Sequence, residues 1–173
     1  MVVADAINAY EGDDAIYVLY PKKIAEAANT FVEGFPGKTL YAVKANPHPA
    51  VLKILWASGI RAFDVASIRE IDLVLSACPD AELYLMHPVK SRKTIRHAYE
   101  NGVRNFAFDC AAELGKILVE TNDAQDLHLH LRLALPTSGS ASMPLKGKFG
   151  AKYQEALDLL RSARSVTDKL GLC

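Results

Sequence analysis

Short β-type segments recur along this sequence at an almost constant spacing, and that regularity limits the folds open to it. Their starts lie about 22 residues apart, with helical spacing and helix-start signals between them; they cover residues 39–44, 61–66, 82–87, 105–110 and 127–133. A strand followed by a helix at a fixed period is typical of parallel β/α units. Further elements are predicted outside this series: a strand over 15–20, a helix over 22–33, and a last helix over 152–170.

Polar side chains stand near the carboxyl ends of several predicted strands. Because side chains alternate along a strand, each of these residues shares a face with small or polar neighbours; they are Lys44, Asp64, Asp109 and Arg132. An open doubly wound sheet covers both faces with apolar side chains, whereas a β/α barrel collects ligand-binding groups at this end. We therefore expect an α/β fold of the (β/α)8 TIM-barrel type, incomplete because only about six strands are predicted.

The composition excludes several classes of partner. Half of the 173 residues are hydrophobic, and 20 basic side chains balance 20 acidic ones. Without net charge or a long block of one sign, binding to nucleic acid or to an anionic membrane surface is not expected. The apolar runs are far shorter than the roughly 20 residues that cross a bilayer, and we expect a cytoplasmic protein.

One stretch interrupts the regular pattern. Residues 136–150 are rich in Ser, Gly and Pro and are long for a loop in a compact β/α domain. Loops of this length are usually functional or mobile.

Lys44 lies in the heptapeptide YAVKANP, residues 41–47. A lysine there could be a solvated side chain on an edge strand, because lysine is rarely buried without a partner. It could instead be an amine held in a barrel mouth, reactive enough to form a Schiff base with an aldehyde. YAVKANP resembles the Schiff-base strand of the fold-type III pyridoxal-phosphate enzymes. The resemblance implies that Lys44 carries pyridoxal 5'-phosphate.

Other segments, in matching order and spacing, resemble the ornithine and lysine decarboxylases of that group. They are FDVAS with Glu70 three residues on, HPVK at 87–90, FD at 108–109, LRLA at 131–134 and KFG at 148–150. The resemblance covers about residues 15–170 and favours this branch over the diaminopimelate decarboxylases and alanine racemase. It implies a barrel of the alanine racemase-like kind, and it places four residues beside Lys44 in the cofactor pocket: Asp64, Arg132, His87 and Glu70.

Each of those residues also has a purely structural interpretation. Arg132 could reach solvent from a strand end, and Asp64 could simply end a strand. Glu70 follows Ser67 at the spacing of a helix capping box, so its carboxylate could accept from the Ser67 amide. His87 beside a proline is typical of a turn residue.

His128 and His130 share one strand face and could suggest a metal pair. No third ligand stands at a suitable spacing, so an interior layer of the barrel is the favoured interpretation. No metal site is predicted.

The resemblance implies decarboxylation of a basic amino acid, ornithine or lysine, to the diamine with release of CO2, by an enzyme that is a homodimer when complete. Several family elements are missing from residues 1–173, including an HVGS motif, a glycine-rich phosphate loop and a C-terminal β-domain. We expect residues 1–173 to form one partial cofactor-binding barrel that needs the remainder for activity. Two alternatives stay open: a non-catalytic homologue that acts as a binding or regulatory protein, and a pyridoxal-phosphate carrier or racemase.

Overall fold

A computed structural model describes residues 3–134 and 149–173. Helices and strands alternate along most of this part of the chain. The helices are α1 (Val3–Asn8), α2 (Pro21–Gly34), α3 (Pro49–Ala57), α4 (Ile68–Ala77), α5 (Arg92–Glu100), α6 (Ala111–Glu120) and α7 (Tyr153–Arg164). The strands are β1 (Leu40–Ala42), β2 (Ala62–Asp64), β3 (Glu82–Leu85), β4 (Asn105–Phe108), β5 (His128–Leu131) and β6 (Leu170–Leu172).

The six strands form one parallel sheet in the order β1-β2-β3-β4-β5-β6. Each strand therefore pairs with the one before it in the chain, and the order never reverses. A doubly wound sheet needs such a reversal, whereas a β/α barrel is built by successive addition of units. The architecture is that of an incomplete α/β TIM-type barrel, as the sequence predicts.

The core lies between the sheet and the helices. One side of each strand packs under the helices, and its largest fully buried side chains include Phe63, Leu85, Phe106, Phe108 and Leu129. The helices begin where the sequence provides caps: the Ser67 hydroxyl accepts from the Glu70 amide, and the Ser91 hydroxyl accepts from the Thr94 amide. The opposite, inner side of the sheet carries most of the strands' polar side chains.

The predicted strand over 15–20 is wrong. This segment has no strand pairing, and its side chains are exposed, with Tyr17 at 97%. Its apolar, β-branched composition suits a strand, but a strand also requires a neighbouring edge to pair with. No described strand lies on that side of β1.

The predicted helix over 152–170 is too long. It ends at Arg164, and the chain turns so that the Thr167 hydroxyl donates to the Leu127 carbonyl at 2.8 Å. Leu170–Leu172 then pairs with β5. The described part of the chain therefore has six strands, the predicted number, but Leu170–Leu172 takes the place of the predicted strand over 15–20.

Lys44 does not continue the extended strand, because Val43–Ala45 form a 3-10 turn directly after β1. The stretch 136–150 lies outside the described residues except for Phe149 and Gly150. None of the described helices is long and apolar enough to cross a membrane.

Candidate active site

Six side chains gather where the strands end. Each follows or closes a different strand at the same edge of the sheet, and we call the group the strand-end site: Lys44, Asp64, His87, Asp109, Arg132 and Cys173. This edge is where β/α barrels bind their ligands. The topology thus brings together the predicted residues Lys44, Asp64, His87 and Arg132.

Asp64 is at the electrostatic centre of the strand-end site. Burial raises the pKa of its carboxyl, whereas a hydrogen bond from the Met86 amide and the charge of Lys44 oppose that rise. The charges of Glu70 and His87 also act on it, with Glu70 adding to the rise. Asp64 is therefore more than the end of a strand, because four groups of the pocket influence its titration.

Lys44 is exposed at the mouth, and its ammonium makes no hydrogen bond or ion pair to any described residue. Its charge acts on the nearby carboxyl of Asp64 and counteracts the rise in the Asp64 pKa. An amine that is open to the mouth and close to a carboxylate can react with an aldehyde carried by a ligand.

Glu70 acts first as a helix cap. Its carboxylate accepts a hydrogen bond from the Ala66 amide at 2.6 Å, while its own amide donates to the Ser67 hydroxyl at 3.3 Å. The capping interpretation is confirmed, although the amide involved is that of Ala66 and not of Ser67. Glu70 nevertheless influences Asp64 electrostatically, so it borders the pocket.

His87 is a turn residue that also borders the mouth. Its Nδ1 lies 3.1 Å from the Val89 amide nitrogen and 2.6 Å from the Val89 carbonyl oxygen. Its ring meets the edge of the Phe149 ring, with the centroids 5.3 Å apart. The turn interpretation is confirmed, and the ring is available to line the site.

Arg132 also packs against the Phe149 ring. Its guanidinium lies 5.3 Å from the centroid of the Phe149 ring. Gly150, which follows Phe149 in the chain, donates its amide to the Asp109 carboxylate at 3.0 Å. Gly150 has φ +105°, and a Cβ there would lie 2.5 Å from the Ala134 nitrogen, so only glycine fits. Of the KFG segment, Lys148 lies outside the described residues.

A second polar group lies on the inner face toward the opposite end of the strands. We call it the inner polar layer, and it consists of Lys38, Glu82, Tyr84, Asn105 and His130. Lys38 pairs with Glu82 and donates to the Tyr84 hydroxyl at 3.1 Å, and that hydroxyl donates to Glu82 at 2.8 Å. His130 Nε2 lies 3.3 Å from the Asn105 side-chain oxygen.

The histidine pair belongs with this layer. Burial lowers the pKa of both His128 and His130. No group of three metal-ligating side chains occurs in the described part of the chain. Sequence reasoning missed Glu82 and Tyr84, although the alternation along β3 would have placed both on the inner face.

Cys173 was also missed as a site residue. It follows β6, and partial enclosure of its thiol raises the thiol pKa. Cys173 lies at the same edge of the sheet as Arg132 and Asp64 because it directly follows β6, and the charges of Arg132, Asp64 and Lys90 act on its thiol. The signal would have been the strand Leu170–Leu172, which the sequence analysis assigned in part to a helix.

The strand-end site can be tested for its fit to a pyridoxal cofactor. It offers an exposed amine that has no hydrogen-bond partner among residues 3–134 and 149–173, a half-buried carboxylate, a guanidinium and aromatic rings. An amine suits the aldehyde of such a cofactor, a guanidinium suits its negative charge, and rings suit its aromatic plane. The residues present therefore fit that group.

Comparisons with known proteins point to the same cofactor. Residues 21–172 match the family model for the pyridoxal-binding domain of pyridoxal-dependent decarboxylases. The lysine/ornithine decarboxylase of Selenomonas ruminantium is 35% identical over 135 residues, 77% of this chain and 33% of that protein. Antizyme inhibitor 2 of Xenopus laevis is 31% identical over 98% of this chain and 37% of its own length.

A solved structure is similar over almost the whole chain. The arginine decarboxylase of Paramecium bursaria Chlorella virus, bound to agmatine, superimposes with a TM-score of 0.83 at 28% identity. The match covers 98% of this chain and 46% of that one. The chain spans about a third of the length of these two curated relatives. It belongs to the pyridoxal-dependent decarboxylase family, and its matched region is the pyridoxal-binding barrel domain.

Proposed function

We propose that this chain binds pyridoxal 5'-phosphate covalently through Lys44 and serves the decarboxylation of a basic amino acid. The observation that carries the proposal is the position of Lys44: an exposed amine without a hydrogen-bond partner among the described residues, within the electrostatic reach of the half-buried Asp64. When bound, pyridoxal phosphate supplies an electron sink for the electron pair left behind as CO2 departs.

The other predicted residues take supporting roles in this proposal. Asp64 holds a negative charge that orients the Lys44 amine. Arg132 supplies positive charge for the anionic cofactor, and His87 lines its aromatic plane together with Phe149. Glu70 caps the start of α4 through the Ala66 amide, and its negative charge acts on Asp64.

The substrate is proposed to be ornithine or lysine, and the product the corresponding diamine. The names of the relatives support a basic amino acid, since they include a lysine/ornithine decarboxylase and an arginine decarboxylase. We further propose that the whole enzyme is a cytoplasmic homodimer. Because the chain spans 33% of the Selenomonas relative, we expect CO2 release only when the remaining portion of such an enzyme is supplied.

The test is to trap the cofactor on its lysine. The chain is incubated with pyridoxal phosphate and reduced with borohydride, and the modified peptide is mapped by mass spectrometry. We expect the label at Lys44, with the other lysines of the same chain as internal controls. A label spread over exposed lysines, or no label, would contradict the proposal.

A non-catalytic role is the second candidate. It is favoured by the match to antizyme inhibitor 2, which covers 98% of this chain. Selective labelling at Lys44 would support the decarboxylase lineage. A protein without selective labelling that still binds a partner of the decarboxylase family would support the non-catalytic role.

A further inference from the structure

Lys90 is a buried lysine in the turn between β3 and α5. Its side chain is 1% exposed, and its ammonium lies 2.9 Å from the Glu113 carboxylate. It also donates to three carbonyl oxygens, those of Ala107 at 2.5 Å, His87 at 3.1 Å and Pro88 at 3.4 Å. The sequence analysis named Lys90 only as part of the HPVK segment, so these contacts are a finding of the structure.

The partners of Lys90 come from separate parts of the fold. Two carbonyls belong to its own turn, the third to β4, and the carboxylate to the first turn of α6. The Glu113 carboxylate also accepts from the Lys90 amide at 3.2 Å. One ammonium therefore ties the end of β3 to the end of β4 and the start of the next helix.

Burying an ammonium is costly, so the contacts have to compensate for the lost water. Burial lowers the pKa of Lys90, and the hydrogen bond and charge of Glu113 counteract that effect. An apolar side chain would fill such a position at less cost. A buried ammonium at Lys90 is explained if it holds its four oxygen partners, the Glu113 carboxylate and the three backbone carbonyls, at fixed positions.

The turn that Lys90 holds also carries part of the strand-end site. The His87 ring contacts Phe149, whose ring also contacts the Arg132 guanidinium, and the charge of His87 acts on Asp64. We propose that Lys90 is a positioning residue for the cofactor pocket: its four contacts fix the His87–Lys90 turn and thereby hold the His87 ring against Phe149 at the strand-end site. The expected effect of Lys90 on cofactor labelling at Lys44 rests on the proposed function. The expected effect of Lys90 on the position of His87 does not, because it can be measured on the chain without cofactor.

The test compares two lysines that pair with the same carboxylate. Lys90→Met removes the buried ammonium, and Lys116→Met removes the other partner of Glu113, which pairs with it at 2.5 Å from a more exposed position. Glu113→Gln is a third variant, which keeps the carbonyl contacts of Lys90 and covers the case in which Lys90→Met does not fold.

The first measurement is NMR of the histidine ring signals without cofactor. The chain has five histidines, and the four other than His87 serve as internal references. We expect Lys90→Met to shift the His87 signals and abolish the His87–Phe149 ring contact, Glu113→Gln to do so partly, and Lys116→Met to leave both unchanged.

The second measurement is the rate of borohydride-trapped labelling at Lys44. We expect about a tenfold loss in Lys90→Met and none in Lys116→Met, because displaced site residues slow a reaction even when the fold persists. A Lys90→Met variant that folds with unchanged His87 signals and an unchanged labelling rate would overturn the proposal. If the wild type takes no label but Lys90→Met still displaces His87, the cofactor proposal fails and the positioning of the turn stands.

Discussion

Two carboxylates on the inner face of the sheet, Asp64 and Glu82, show opposite behaviour. Asp64 lies at the strand-end site, where burial dominates and raises its pKa. Glu82 lies in the inner polar layer, where burial is outweighed by hydrogen bonds from Lys38 and Tyr84, so its pKa is lowered. The difference is in their partners: Glu82 is held by a lysine, whereas Lys44 acts on Asp64 only through its charge.

The two carboxylates therefore belong to two differently built groups of side chains, the inner polar layer and the strand-end site. In the inner polar layer each charged group has a partner within hydrogen-bond distance, which stabilises the packing of adjacent strands. At the strand-end site the Lys44 amine has no hydrogen-bond partner within the described part of the chain, and it acts on the half-buried Asp64 carboxyl only through its charge. Groups held partly unsatisfied in a cleft are candidates for function.

The largest expected effect separates the two inner lysines. Lys44→Ala should abolish the selective pyridoxal phosphate label, whereas Lys38→Ala should retain it, because the Lys38 amine is held by Glu82 and Tyr84, while the Lys44 amine has no hydrogen-bond partner among the described residues. Peptide mapping after borohydride reduction measures both. Loss of the label in Lys38→Ala but not in Lys44→Ala would reverse the assignment of the two ends.

A smaller effect separates the two carboxylates. Asp64→Asn should weaken pyridoxal phosphate binding about tenfold, the loss expected when one charged interaction of ~1.4 kcal/mol is removed. Glu82→Gln should leave the affinity unchanged, because its partners lie in the inner polar layer. Spectrophotometric titration with the cofactor gives both dissociation constants, and equal weakening in the two variants would contradict the separation.

The smallest effect concerns stability against pH, and the two carboxylates should contribute with opposite signs. The lowered pKa of Glu82 means that its contribution is present above its unfolded value near 4.5 and is lost as the pH falls through the folded value. The raised pKa of Asp64 means that its ionisation destabilises the fold above the folded value, and the penalty disappears as the pH falls.

Urea unfolding between pH 3 and pH 7 checks these signs. At neutral pH, Glu82→Gln should be less stable than the wild type by about 0.5 kcal/mol, since its pair with Lys38 is partly exposed. Asp64→Asn should be slightly more stable at neutral pH, and both differences should shrink toward pH 3. An acid-side dependence that neither variant alters would show that other groups control it.

The periodic β/α pattern was sufficient to predict the fold class, because strand and helix signals here are local. It failed at both ends of the sheet for a non-local reason. Residues 15–20 have the composition of a strand but no neighbouring described edge, whereas Leu170–Leu172 pairs although it contains a glycine. A Cβ at Gly171 would lie 2.6 Å from His130 Nδ1, so a contact with β5 explains the glycine.

The same distinction applies to the site residues. The spacing of Ser67 and Glu70 predicted a helix cap because a cap is made within one turn. The burial of Lys90 was not predictable, because its acceptors are far apart in sequence and meet only in the folded sheet. The positions of Cys173 and Phe149 in the mouth likewise depend on strand pairing and on the return of the chain at Gly150.

The most direct test of the account is a crystal structure of this chain grown with pyridoxal phosphate. We predict continuous electron density from Lys44 Nζ to the cofactor, with Asp64 and Arg132 beside it and the Lys38–Glu82 pair unchanged. Density joined to Lys38 or to a surface lysine, with an empty strand-end site, would contradict the central claim.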